Sequence, residues 1–175
     1  MPQSATDLAH QLITQTGQHL FLTGKAGTGK TTFLHKLKAS ANKNMVVAAP
    51  TGVAAINAGG VTLHSLFQLP FTPFIPGSSN IEAIKLNKAK REVLKNLHLL
   101  VIDEISMVRA DTLDAIDYRL RKIRHDNTPF GGVQLLMIGD LYQLSPVIKD
   151  ADRALLKQSY PSNYFYHSRA LAQTT

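Results

Sequence analysis

Apolar residues recur along this chain at two spacings. Across residues 7–16, Leu8, Leu12 and Ile13 keep helical spacing, and Thr16-Gly17 closes the stretch. The next run, His19-Leu20-Phe21-Leu22-Thr23, is short, mostly apolar and of strand type, whereas Phe33, Leu34 and Leu37 return to helical spacing from Thr31 onward. Ser40-Ala41-Asn42-Lys43-Asn44 reads as a turn, and Met45-Val46-Val47-Ala48-Ala49 as a buried strand ended by Pro50. Strand and helix alternate.

The alternation continues less regularly. A short helix over 51–57 with Thr51 near its cap is broken by Ala58-Gly59-Gly60, and the helical pattern resumes over 61–68. Residues 69–80 hold Pro70, Pro73, Pro76 and Gly77, a composition for an extended surface loop whose Phe71, Phe74 and Ile75 want partial cover, as a lid or pin would have. A helix is predicted over 81–96, with Ile84, Val93 and Leu94, and then Leu97, on its apolar side and Lys85, Lys88, Lys90, Arg91 and Lys95 outward. Such a charged side serves more often as a solvated face than as a nucleic-acid track. His98-Leu99-Leu100-Val101-Ile102 is a third buried strand, and 111–124 a helix capped by Asp111 and marked by Leu113, Ile116, Leu120 and Ile123. Residues 127–132 turn the chain into a fourth strand, 133–138, that ends in Gly139-Asp140; a short helix over 153–158 and the run Tyr164-Phe165-Tyr166 follow. Strands separated by helices imply an α/β fold with a central parallel sheet, helices on both faces and ligands at the strand C-termini.

Composition narrows the setting. The 175 residues, 44% of them hydrophobic, suit one domain over 1–175. Lys and Arg number 19 against 12 Asp and Glu, a net charge of +7, which fits a polyanionic partner and equally an ordinary solvated surface. Without cysteine there are no disulfides or thiolate metal sites, and the seven histidines form no close pair at ligand spacing. The start, Met1-Pro2-Gln3-Ser4-Ala5-Thr6-Asp7, lacks a basic segment with an apolar core, and no apolar run approaches membrane-spanning length. A cytoplasmic location away from membranes is the expectation.

The chemistry begins at Gly24-Lys25-Ala26-Gly27-Thr28-Gly29-Lys30-Thr31, which fits G-x-x-x-x-G-K-[ST] position for position, between a predicted strand and a predicted helix. Glycines let successive backbone N–H groups wrap an anion. Lys30 adds a point charge, Thr31 offers a hydroxyl to Mg²⁺, and the helix from Lys30 aims its positive end at the phosphates. Gly24, Ala26, Gly27, Thr28, Gly29, Lys30, Thr31 and Thr32 are therefore the candidate nucleotide contacts.

The strand 99–102 delivers Asp103-Glu104 to the same sheet edge. Asp103 is the candidate second ligand of Mg²⁺, and Glu104 the group placed to take a proton from the attacking water. An acidic pair at a strand end on its own is as often a cap or a salt-bridge partner; behind a phosphate loop it points to hydrolysis. GTPase switches usually follow the metal Asp with x-x-Gly and need Asn-Lys-x-Asp, but here Asn42-Lys43-Asn44 is followed by Met45. Beyond the fourth strand, Gly139-Asp140-Leu141-Tyr142-Gln143-Leu144-Ser145-Pro146 sets the Gln143 amide where it can report loss of a γ-phosphate.

Read together with Pro50-Thr51-Gly52-Val53-Ala54-Ala55 and Gly60-Val61-Thr62-Leu63-His64-Ser65-Leu66-Phe67, these segments resemble the Pif-type DNA helicases, the petite-integration-frequency family of superfamily one. The resemblance runs from about Leu20 to Val147, and Asp103-Glu104-Ile105-Ser106-Met107 is a specific spelling of that family; Ser145 departs from it, since proline is more usual there. It implies a RecA-like first motor domain, ATP with Mg²⁺, and 5′ to 3′ translocation on single-stranded DNA. By position it implies strand contacts at Pro50, Thr51, Gly52, Thr62, His64, Ser65 and Phe67, although a lone Thr-x-His-Ser is more often a helix cap. The family's adenine-reading Gln has two candidates, Gln3 and Gln11, neither at a convincing spacing.

The resemblance also implies a second RecA-like domain, with arginines that reach the γ-phosphate, which this chain does not contain. The expectation is half of a motor, acting as a monomer, that binds nucleotide and hydrolyses it slowly. Two further readings are a binding module that holds ATP and single-stranded DNA without catalysis, and a P-loop kinase or partner-remodelling ATPase. The Asp-Glu pair speaks against the first, and the absence of a recognisable acceptor site against the second.

Overall fold

Four-to-six-residue apolar runs that are buried on both faces build the centre of the molecule, and a computed structural model describes it over residues 4–25, 27–77, 80–82 and 84–174. The strands are β1 (Leu20–Thr23), β2 (Met45–Ala49), β3 (Val61–Thr62), β4 (Leu99–Ile102) and β5 (Gln134–Gly139). They form one parallel sheet in the order β1-β5-β4-β2-β3. The helices are α1 (Ala5–Gln15), α2 (Lys30–Ser40), α3 (Gly52–Asn57), α4 (Leu63–Phe67), α5 (Lys88–Lys95), α6 (Ala110–Arg124) and α7 (Asp150–Ser159).

Because strand side chains alternate, each buried run feeds two cores. Leu99, Val101, Leu136 and Ile138 meet Ile13 of α1 and Phe33, Leu34 and Leu37 of α2 on one face. Leu100, Ile102, Leu135 and Met137 meet Leu63 and Phe67 of α4, Leu94 of α5 and Leu113, Ile116 and Leu120 of α6 on the other. Helices thus cover both faces, as expected of a doubly covered parallel sheet. Ala110, Leu156 and Tyr160 dock α7 on the start of α6 in a smaller cluster.

Register fixes what gathers at the C-terminal edge. Thr23 pairs with Gly139, so Gly24 and Asp140 leave the sheet side by side. Ile102 pairs with Met137 and with Ala48, so Asp103 and Glu104 emerge between that pair of segments and the β2 exit at Pro50. A Cβ on Gly60 would lie 2.2 Å from the Val47 carbonyl oxygen, so only glycine lets the turn before β3 approach β2 this closely.

Several elements differ from the sequence reading. The helix expected over 81–96 is confined to Lys88–Lys95. Asn87 caps it through the Lys90 N–H, while Ile81 is buried and the Ile84 carbonyl accepts from Arg119 Nη2, so the preceding apolar residues anchor turns instead. Asp111 does not cap α6: Arg109 occupies that position, and the Asp111 carboxylate, two residues on, accepts from Arg109 and from the Phe74 N–H. The segment resuming at Val61 begins as the short strand β3 before α4, and β5 starts one residue later and α7 three earlier than expected. Of the loop aromatics, Phe74 is buried and Phe71 is 80% exposed.

Lys43 secures the opposite end of the sheet. Its ammonium donates to the Ile13 carbonyl at 2.6 Å, the Thr16 carbonyl at 2.7 Å and Gln134 Oε1 at 2.7 Å, tying the end of α1 to the start of β5. Lys43→Met keeps the stem and removes the donors. It is expected to cost about 2 kcal/mol and to lower Tm by about 4–8 °C in a thermal melt. A melt indistinguishable from the parent chain would show that water replaces these bonds without loss.

Candidate nucleotide site

The loop between β1 and α2 takes its shape from glycines with left-handed backbone: Gly27 has φ 79° and Gly29, the residue before α2, has φ 86° and ψ 11°. Lys30 Nζ donates to the Gly24 carbonyl at 2.5 Å and to the Lys25 carbonyl at 2.9 Å, and Thr28 Oγ1 donates to the Lys25 carbonyl at 2.8 Å. A Cβ on Gly24 would sit 2.7 Å from Thr28 Oγ1, which explains the first glycine of the loop. Ala26, one of the sequence candidates, lies outside the described residues.

From β4, Asp103 Oδ1 accepts from the Glu104 N–H at 3.0 Å. Glu104 itself has φ 53° and ψ 43°, a left-handed conformation that costs a non-glycine residue about 1 kcal/mol or more. From β5, the 7%-exposed Asp140 accepts from the Tyr142 N–H at 3.0 Å and from Gln143 Nε2 at 3.1 Å, which holds the Gln143 amide in place.

These segments meet in a pocket of about 370 Å³. Gly27, Gly29, Lys30, Thr31 and Thr32 form one wall, and Glu104, Asp140 and Gln143 the other. Asp103 is half-buried beside Glu104 and does not line that pocket directly. Burial pushes the Asp103 carboxyl above its usual range, against the Glu104 N–H and Lys30, which lower it. Glu104 is raised by burial first and then by Asp103 and Asp140, while Lys30 pulls it down. Asp140 was not singled out from the sequence; its signal is an acidic residue directly after a strand.

A second pocket, of about 310 Å³, adjoins the first and shares Gly29 and Thr32 with it. Thr28 and Lys36 line it from the loop and α2, and Asp7 and His10 from α1. Asp7 Oδ2 accepts from Ser4 Oγ at 2.6 Å. Of the glutamine candidates, Gln11 does not line this pocket and Gln3 lies outside the described residues.

The segments after β2 and β3 form the neighbouring polar face. Thr51 Oγ1 accepts from the Ala54 N–H and Thr62 Oγ1 from the Ser65 N–H, each at 3.2 Å, so both cap helices and each keeps its own O–H to donate. His64 stacks on Phe71 with centroids 5.2 Å apart and planes 12° from parallel. Gly52 and Ser65 are exposed and Pro50 half-buried, and the Ser65 carbonyl accepts from Lys90 Nζ at 2.5 Å. Phe67 stands apart from these: it is 0% exposed and packed in the core, so its side chain offers nothing to a strand on this face.

A parallel sheet with a G-x-x-x-x-G-K-T loop after one strand, an acidic pair after another, and β5, which leads to Gln143, between them defines a RecA-like P-loop nucleotide-binding domain. The model of the PIF1-like helicase family matches residues 3–170, and the chain belongs to that family. It is 38% identical over 169 residues to the ATP-dependent DNA helicase PIF1 of Saccharomyces cerevisiae, covering 90% of this chain and 18% of that protein. It is 42% identical over 139 residues to the human ATP-dependent DNA helicase PIF1, covering 76% of this chain and 21% of that protein. The Bacteroides Pif1 helicase in complex with ADP-AlF3 and ssDNA superimposes with a TM-score of 0.92 at 47% identity, over 99% of this chain and 40% of the other. The Candida albicans Pif1 helicase does so with a TM-score of 0.77 at 34% identity, over 99% of this chain and 38% of the other. The chain thus spans about a fifth of the length of these curated relatives and about two fifths of the solved chains. Among the described residues no helix is long and apolar enough to cross a membrane.

Proposed function

We propose that this chain is the first, nucleotide-binding lobe of a two-lobed ATP-driven motor that moves 5′ to 3′ on single-stranded DNA and unwinds duplexes. The observation that carries the reading is the convergence of the loop, Glu104 and Gln143 on one pocket. The relatives described as ATP-dependent DNA helicases, and the Bacteroides complex with ADP-AlF3 and ssDNA, support it.

Lys30 exchanges its loop carbonyls for phosphate oxygens, and the loop N–H groups take the rest of the charge. Glu104 accepts the proton of the attacking water, helped by a carboxyl whose affinity for protons burial has raised. Gln143, held by Asp140, registers whether a γ-phosphate is present. The Thr31 hydroxyl and the Asp103 carboxylate suit Mg²⁺: both are hard oxygen donors, and Asp103 is half-buried without a cationic hydrogen-bond partner among the described residues. Among the described residues there is no cluster of three or more His, Cys, Asp or Glu that could hold a metal. Held by Thr31 and Asp103, the ion would neutralise charge on the phosphates. The second lobe supplies an arginine to the γ-phosphate.

The base occupies the adjoining pocket. There the exposed Asp7 carboxylate is an acceptor for an amino group of the base. The strand lies along Thr51, Thr62, His64 and Ser65, whose hydroxyls and N–H groups hold phosphates without reading sequence.

Titration of the 175-residue chain with fluorescent ATP and with a labelled single strand tests this reading. Both are expected to bind, with Asp7→Ala weakening ATP. Hydrolysis by the chain alone is expected to be about 10³–10⁵-fold slower than with the second lobe joined. Failure to bind ATP overturns the proposal, and brisk DNA-stimulated turnover by the chain alone overturns its two-lobed part.

A further inference from the structure

Beside the polar face lies a third pocket, of about 200 Å³, smaller than the roughly 300–1,000 Å³ typical of a drug-sized ligand. Thr51 and His64 line it from the exits of β2 and β3, Met107, Arg109 and Thr112 from the segment that leads from β4 into α6, and Val147 from the segment that leaves β5. Nothing in the nucleotide site uses Arg109, Thr112 or Val147.

The chemistry of this pocket suits a neutral ligand with polar edges. Arg109 Nε and Nη2 donate to Asp111 at 2.8 and 2.7 Å, and Asp111, which is 2% exposed, also accepts from the Phe74 N–H at 3.0 Å. The guanidinium is therefore fixed in direction and its charge is matched, which disfavours a phosphate, while Nη1 keeps its hydrogens without a partner among the described residues. His64 is held below its usual pKa by burial first and then by Arg109, so near neutral pH it is an uncharged ring with one donor and one acceptor. Met107 adds a soft apolar wall, and Val147, 82% exposed, lines the pocket from the segment after β5.

We propose that this pocket receives one nucleobase of a bound single strand, turned out of the stack, while the phosphates on either side run past Thr51 and Ser65; the inference rests on the strand-binding reading above. Arg109 Nη1 and the Thr112 hydroxyl then meet the edge of the base. Val147 stands four residues beyond Gln143, so the wall of the base pocket and the reporter of the γ-phosphate belong to one short segment.

The test uses the 175-residue chain and the shortest oligothymidylate that binds it at full affinity, which fixes the register. A single abasic position is walked along that strand and affinity is read by fluorescence anisotropy. One position is expected to lose about tenfold and the others less than about twofold. Val147→Trp, at an exposed site where folding is not at risk, adds bulk to that wall; it is expected to weaken the intact strand by about tenfold and to abolish the penalty of that one abasic position. A flat abasic profile, or a penalty unchanged in Val147→Trp, overturns the base pocket and leaves strand binding standing. Failure of the intact strand to bind overturns the strand-binding reading, and the pocket with it.

Discussion

Glu104→Gln is expected to slow single-turnover ATP hydrolysis by about 10²–10⁴-fold in the motor with both lobes, while ATP affinity of the chain changes by less than about threefold. The substitution preserves length, shape and the backbone turn and deletes only the capacity to hold a proton. Its pocket neighbours Lys30 and Gln143 keep their places, so binding and turnover should part company. Neutralising Glu104 also removes a carboxylate that Asp103 and Asp140 repel, so the fold should be no less stable. Rapid quench and a fluorescent nucleotide measure the two quantities separately. Hydrolysis within tenfold of the parent protein would assign the proton to another group.

Lys30→Ala should act on the other quantity. Its ammonium donates to the Gly24 and Lys25 carbonyls, contacts that one incoming phosphate oxygen can replace with a stronger charge-assisted bond. Removing it is expected to weaken ATP by about 100-fold, with no compensation from Thr31 or Thr32, whose hydroxyls carry no charge. Unfolding of the nucleotide-free variant should stay close to that of the parent chain, because Lys30 caps an exposed loop and fills no core position. A threefold effect or less would mean that the backbone N–H groups alone carry the phosphates.

What the chain wrote plainly was whatever depends on neighbours in sequence. The phosphate loop, the β4 exit at Asp103-Glu104 and the continuous apolar runs of β2, β4 and β5 each read correctly because backbone geometry and burial on both faces act over a few residues. Contacts between distant segments left no such trace. Asp111 looked like a cap until Arg109 and the Phe74 N–H claimed its carboxylate, and the apolar residues before Asn87 looked helical until turns anchored by Gln68 and Arg119 used them. The strand β3 has only Val61 and Thr62, too few for any period to register. Phe67 is different, since its burial was legible: Leu63, Leu66 and Phe67 fall at i, i+3 and i+4 and mark the inner side of α4, leaving Ser65 exposed and His64 half-buried. Asp7 and His10 could not have been paired with the phosphate loop from sequence, because α1 reaches the loop only across the sheet face.

The backbone at Glu104 carries a wider lesson about ancestry and turnover. Its left-handed torsion suits glycine better than any acid, so the residue assigned to the chemistry sits where thermal selection alone would favour discarding it. A descendant that made that exchange would keep its sheet, its loop and its grip on nucleotide, and would superimpose on working engines while burning no fuel. Kinship in shape is thus a poor warrant for turnover in this lineage, and the identity of one torsionally awkward side chain is a better one.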